Sequence, residues 1–526
     1  MRLPRLASVA AGAALLAALA VRAGTAATPT QTFVYATPTQ VMVGWDPATS
    51  YSNEIIAMSN VYETLTHYDP VTKRAKPALA TRFSSNKEGT AWTFVLRRGV
   101  TFHTGRPLTA QAAKAAIERT MKLHQGAAYV WDSVKSISTP NASTLVFHLK
   151  YAAPLDLIAA ADYAAYIYDV HAAPASKLAA WFNQGRDAGT GPFTVDFWHK
   201  GQEVELRLKA YPRYWAGWTE PHYRAIEYWV VPSVTTMAQL ARAGNVTFTE
   251  QLNPQLWESF KSSTSVSTTS SPSWQNLLAL LNTKSGPLAD RRIRQAISYA
   301  VDYKGLIAAM TGSATRQIGV VPPGLWGHFD SLPGQYDTNP SKAKALLQAA
   351  GYGPGGKKLT LTLTNTQGVA YEELFATLLK SNLAALNVDL RIRTMAWPTQ
   401  WAKAKSSDPA QRQDIFLFVW WPDYADPYSW FVNLFKTEKQ PFYNLAYYSN
   451  PKLDALMRQA ERSAASQRDK AVQLYKTMQS MLLHDAPVIP AFVTVYQRTL
   501  AKGVSGYVDN PAYPNVVYAY DLRPPA

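Results

Sequence analysis

Residues 415–431 read IFLFVWWPDYADPYSWF. Ile415 to Val419 is a short unbroken apolar run, the pattern of a strand covered on both faces, and it runs directly into Trp420, Trp421, Pro422 and the acidic, aromatic segment from Asp423 to Tyr428. In open α/β sheets a ligand sits beyond the carboxyl ends of the strands, so Asp423, Trp420 and Trp421 are candidate ligand contacts. Asp426 followed by Pro427 fits a helix start, with the acid capping and proline in the first turn. Asp423 has no comparable local task.

The 526 residues provide for two or three domains with large cores. Residues 1–27 begin with Arg2 and Arg5, continue through the apolar run Ala7 to Val21 and end in small residues, the pattern of a cleaved secretory signal peptide. There is no cysteine, which excludes disulfides, thiolate metal sites, cysteine catalysis and lipid attachment through an N-terminal cysteine. The formal charge of +16 is scattered in short pairs such as Lys357-Lys358, and no nucleic-acid motif accompanies it, so it reads as a solvated surface.

Along the chain, Gln31 to Tyr35 reads as a strand, and a second is expected at Trp45-Asp46-Pro47. Trp92 to Leu96 alternates like a half-buried strand, Gly99 and Gly105 mark turns, and Thr109 caps a helix to about Leu123. His103 lies in this turn region with no second metal ligand near it and reads as structural. Further strands are expected at Thr144 to Leu149, Val204 to Ala210, Ile226 to Val231 and Leu277 to Asn282, whereas the Ser/Thr-rich segment Ser262 to Ser273 reads as a loop. Tyr163, Tyr166 and Tyr168 read as packing, and the arginines of Asp290 to Ile297 as local partners of Asp290 or Asp302. Gly351 to Lys358 satisfies G-x-G-x-x-G in form. It follows a helix begun at Asn339-Pro340 and precedes a strand, the reverse of a phosphate loop's setting, so no nucleotide role follows. A helix over about 369–386 and a strand at Val388 to Thr394 then give the strand, helix, strand order of a parallel sheet.

Val61 to Leu65, Pro77 to Thr81, Trp92 to Ala110, Gly189 to Phe193, Lys209 to Trp215 and Asp290 to Ile297 together resemble family 5 of the extracellular solute-binding proteins, which holds peptide-binding and nickel-binding components of ABC importers. The resemblance covers roughly residues 33–500. It implies an α/β, two-lobed periplasmic binding protein fold of the large three-domain type (cluster C), with a ligand cleft between the lobes. A hinge lobe would comprise 31–59, 189–272 and 497–522, with 60–188 inserted in it and 273–496 as the second lobe.

The implied function is capture of a peptide or other amine-bearing solute and its delivery to membrane permease subunits, with ATP hydrolysis on a separate chain. An oligosaccharide or metal chelate is the alternative cargo. Peptide binders of the family use an aspartate in this loop for the ligand's α-amino group, and Asp423 matches that position. Dipeptide binders also use an arginine on the preceding helix for the carboxylate, yet no arginine occurs from Asn365 to Val388. Trp397, Trp401, Trp274 and Asn276 complete the expected ligand-binding set. No catalytic motif or metal cluster is visible, so no cofactor, metal or nucleic-acid partner is expected. A secreted glycoside hydrolase using Asp423 and Asp426 is the reading from a different class.

Overall fold

The structure, a computed structural model, describes residues 31–525. The signal-peptide reading of residues 1–27 lies outside them. A mixed sheet of eleven strands runs through both lobes, in the order 388–395, 359–366, 415–420, 266–281, 488–501, 248–249, 32–37, 225–230, 204–210 and 193–198, with 314–316 beside 488–501. Strands Leu359–Thr366 and Val388–Met395 are parallel, joined by helix Ala370–Ala384, as the sequence order requires. A four-stranded antiparallel sheet, 80–85, 91–96, 144–149 and 134–141, forms a separate layer in the first half of the chain.

Two long strands run side by side at the middle of this sheet. Val266–Leu281 and Val488–Ala501 pair antiparallel along most of their length, but the register shifts between Pro272 and Asn276. At the shift Ser273 Oγ donates to the Thr494 carbonyl (2.6 Å), and Thr494 Oγ1 donates to the Gln275 carbonyl (3.1 Å). The bulged segment thus keeps its polar groups satisfied while the ladder is interrupted. The loop expected at Ser262 to Ser273 is therefore largely strand from Val266 onward. Its serines and threonines suggest a loop by composition, but the partner strand supplies the hydrogen bonds that decide the conformation.

Trp45-Asp46-Pro47 is no strand. Asp46 instead anchors an irregular segment: its carboxylate receives Arg119 Nη1 (2.7 Å) and Nη2 (2.5 Å), and the Trp45 N–H donates to Asn183 Oδ1. The arginines of helix Arg291–Ala300 also divide their work differently. Arg292 pairs with Asp290, as expected, but Arg291 reaches Asp485, and Arg294 is buried on carbonyls of Leu288, Ala289 and Asp485.

Several local readings hold. Thr109 Oγ1 accepts from Ala112 N at the start of helix Ala110–Leu123, and Asn339 caps Pro340–Ala349. Gly189 lies so close to the chain that a Cβ there would meet the Val61 carbonyl at 2.0 Å, so only glycine permits this crossing. His103 sits between Asp187 and the Gly191 carbonyl, both acceptors. Burial opposes its charge, but the Asp187 carboxylate outweighs it and holds the imidazole's pKa above its ordinary value.

Candidate functional site

Strand Ile415–Trp420 divides its side chains between two cores. Ile415 and Leu417 enter the second lobe's core with Leu361, Leu363, Phe375 and Leu379. Phe416, Phe418 and Trp420 point the other way, into a cluster continuous with the first lobe. Trp397 and Trp401, on helix Trp397–Ala404, lie over this second face: Trp397 stacks on Phe418 at 5.9 Å, and the two tryptophans are 5.3 Å apart. Tyr443 continues the cluster, 4.8 Å from Trp401 and 5.2 Å from Trp420. From the opposite lobe Tyr51 closes on Tyr443 (4.9 Å) and Trp420 (6.5 Å), and Tyr443 Oη donates to the Tyr51 carbonyl. Edge-to-face pairs of this kind contribute about 0.5–1.5 kcal/mol each beyond the area they bury.

The strand ends at Trp420, and Trp421 turns out of it. Trp421 is half-buried, and its indole N–H donates to Tyr163 Oη (3.2 Å) across the cleft. Tyr163 is buried, as a packing residue would be, but it faces the other lobe.

Asp423 lies at the base of this junction, 2% exposed. Its Oδ2 accepts three hydrogen bonds, from Tyr51 Oη (2.8 Å), Tyr129 Oη and Asn433 Nδ2 (3.1 Å). Both tyrosines belong to the first lobe; Asn433 comes from the helix that follows Asp423. Oδ1 takes no hydrogen bond from the described residues. All three donors are neutral, so burial dominates and raises the carboxyl to about 7 despite the hydrogen bonds.

Asp426 acts locally, as its position before Pro427 suggested. Its Oδ1 accepts from Tyr428 N (2.9 Å), the first residue of helix Tyr428–Leu434, although Pro427 itself occupies the capping position. Asn276 is completely buried with both ends of its amide engaged: Nδ2 donates to the Val320 carbonyl, and Oδ1 accepts from Trp430 Nε1. It is a brace beneath the Asp423 loop. Trp274 is buried at the register shift between Pro272 and Asn276, 5.7 Å from Tyr68. No arginine of helix Ala370–Ala384 enters the cleft, since it has none. Its first turn presents Glu372, buried on the Thr366 N–H and raised by that burial to about 8.

The residues that the sequence did not single out are Tyr51, Tyr129, Asn433 and Tyr443. Tyr51 and Tyr129 stand 372 and 294 positions from Asp423, so no local pattern joins them.

A profile of the bacterial extracellular solute-binding proteins, family 5 (middle region), matches residues 74–442. The chain belongs to that family. This solute-binding protein is 28% identical over 476 residues to the probable D,D-dipeptide-binding periplasmic protein DdpA of Escherichia coli (strain K12), covering 89% of each chain. It is 26% identical to heme-binding protein A of Haemophilus influenzae, over 91% of this chain and 90% of that one. In fold it resembles the periplasmic binding protein DppA from Helicobacter pylori in complex with peptide STSA, with a TM-score of 0.82, 22% identity, and 94% and 98% of the two chains covered. Family 5 proteins bind solutes, which sets the glycoside hydrolase reading aside. No helix among the described residues is long and apolar enough to cross a membrane.

Proposed function

We propose that this protein captures a peptide or peptide-like solute bearing a free amine between its lobes, in the periplasm, and delivers it to the permease of an ABC importer. One observation carries the reading: Asp423 is a buried carboxylate at the lobe junction whose only partners among the described residues are neutral donors on one oxygen. An ionised carboxylate out of water requires a cation, and none of the described residues brings one into contact. A ligand ammonium directed at Oδ1 would supply the charge while Tyr51, Tyr129 and Asn433 hold the other oxygen. The aromatic cluster of Trp397, Trp401, Trp420 and Trp421 would then cover the ligand's apolar parts. Trp274 and Asn276 act from behind, by shaping the hinge and bracing the loop.

The two strands that join the lobes suit closure over such a ligand, because their ladder is interrupted at Pro272 to Asn276. This supports a division of the chain near 272/273 and again near 496/497, as the sequence suggested. Mass spectrometry of the molecule retained by protein purified from its native host tests the function. A ligand with a primary amine supports it; a neutral oligosaccharide overturns it.

A further inference from the structure

Beside the Asp423 junction is a small, partly open cavity that the amine anchor does not use. Tyr129, Val130 and Pro154 wall it from the first lobe; Tyr424, Asp426 and Glu461 wall it from the second. Its volume of about 10 Å³ is room for a single water-sized group. Asp426 is 1% exposed, and its Oδ2 has no hydrogen-bond partner among the described residues, while Oδ1 is held by the Tyr428 N–H and Tyr475 Oη. Glu461 brings a second carboxylate, engaged by Tyr151 Oη. Both acids are raised by burial, Asp426 to about 6. The arginines that act on them do so from a distance: Arg468 lies against Trp326 at 3.9 Å and Arg462 against Tyr151 at 5.3 Å.

We propose that this chamber is a second cation subsite, taking the side-chain ammonium of a ligand whose first residue is a diamino acid. The inference rests on the Asp423 reading. Tyr129 joins the two positions, since its hydroxyl donates to Asp423 while its side chain lines the chamber. The two positions are thus neighbours on either side of one residue, as two amines of one ligand residue require. An ammonium group has the size of the water that would otherwise fill the space. It offers three donors where Asp426 Oδ2 lacks one, and it balances charge where water does not. Three tyrosine side chains, Tyr129, Tyr424 and Tyr428, line the same chamber and provide an aromatic surround for a cation.

The test is calorimetric titration of the full mature protein with lysyl-alanine, norleucyl-alanine and N-acetyl-norleucyl-alanine. Norleucine is lysine without the side-chain ammonium, and the acetylated form reports on Asp423 alone. Lysyl-alanine is expected to bind at least tenfold more tightly than norleucyl-alanine, and the preference to fall to near unity in Asp426→Asn and, separately, in Glu461→Gln. Asparagine keeps the oxygen that accepts the Tyr428 N–H, so the helix start is preserved. Equal binding of the lysyl and norleucyl peptides, with acetylation still abolishing binding, overturns the subsite and leaves the amine anchor standing; the chamber is then a water site. Binding that ignores acetylation, or no binding of any of the three, overturns the anchor and the subsite with it.

Discussion

Asp46 and Asp423 are both buried aspartates, 3% and 2% exposed, and they are provided for in opposite ways. Asp46, in the first lobe, receives both terminal nitrogens of Arg119 in a forked pair, with the Ala48 N–H as a further donor. Asp423 has two tyrosine hydroxyls and an amide, all on one oxygen, and no cation among the described residues. Asp187 with His103 repeats the solution of Asp46, whereas buried Asp162 accepts from Ser59 Oγ and Glu63 rests on Thr190, Tyr214 and Trp215, neutral donors like those of Asp423. What sets Asp423 apart is its place, since Tyr51 and Tyr129 reach it from the opposite lobe. On the proposed function, Asp46 is a structural acid and Asp423 a binding acid, and substitutions at the two sites separate the roles.

The largest effect should come from breaking the structural pair. Arg119→Met leaves Asp46 buried without its cation and is expected to cost about 3–5 kcal/mol of stability, read as a lowered midpoint in chemical denaturation. A stability unchanged from wild type would remove the contrast. Asp423→Asn should do the converse. It disturbs no ion pair, so the ligand-free midpoint should hold or rise, while affinity for an amine ligand falls by about 2–5 kcal/mol in calorimetry. A variant that is destabilised but binds normally would make Asp423 another structural acid.

Trp420→Ala removes the ring that meets Tyr443 and, across the lobe junction, Tyr51, and should weaken ligand binding by about 1–3 kcal/mol. Trp421→Ala, at a half-buried side chain that has left the strand, should cost less. The reverse order would put the ligand on the Tyr163 side of the loop.

Dependence on pH gives the gentlest test. Asp423 is raised from 3.8 to about 7, and Glu54 and Glu63 from 4.5 to about 7, each chiefly by burial. The folded protein therefore holds protons that the unfolded chain has lost. The stability these acids contribute is fully present below about pH 4 and declines as pH rises through 7. Thermal midpoints of the ligand-free protein should fall between pH 5 and 8. Affinity for an ammonium ligand should move the other way, rising by up to about tenfold per pH unit towards pH 7, because the ligand requires the ionised Asp423. Asp423→Asn should flatten the affinity profile.

The features legible in the sequence were those written locally. Caps at Thr109 and Asn339, the strand limits of Thr144–Leu149 and Val204–Ala210, and the apolar run from Ile415 each follow from a few adjacent residues. The glycine-rich segment at 351–358 was rightly read as a loop between a helix and a strand. What escaped was decided at long range. The serines and threonines from Val266 to Ser273 form a strand because Val488–Ala501 lies alongside, and Trp45 to Pro47 does not because Arg119 and Asn183 hold it otherwise. At the site, the sequence could nominate Asp423 from its place after a buried strand. It could not supply Tyr51 and Tyr129, which reach it only once the lobes meet, nor show that Asn276 has both ends of its amide engaged in bracing the loop.

The central claim is that Asp423 awaits an ammonium group. The most direct measurement is calorimetric titration of the wild-type protein, near pH 7, with its native ligand and with the same ligand acetylated on the amine. Acetylation removes the positive charge and leaves the rest of the molecule for the aromatic cluster, so affinity should fall at least tens-fold, matching the loss caused by Asp423→Asn. Equal affinity for the free and acetylated forms would contradict the account.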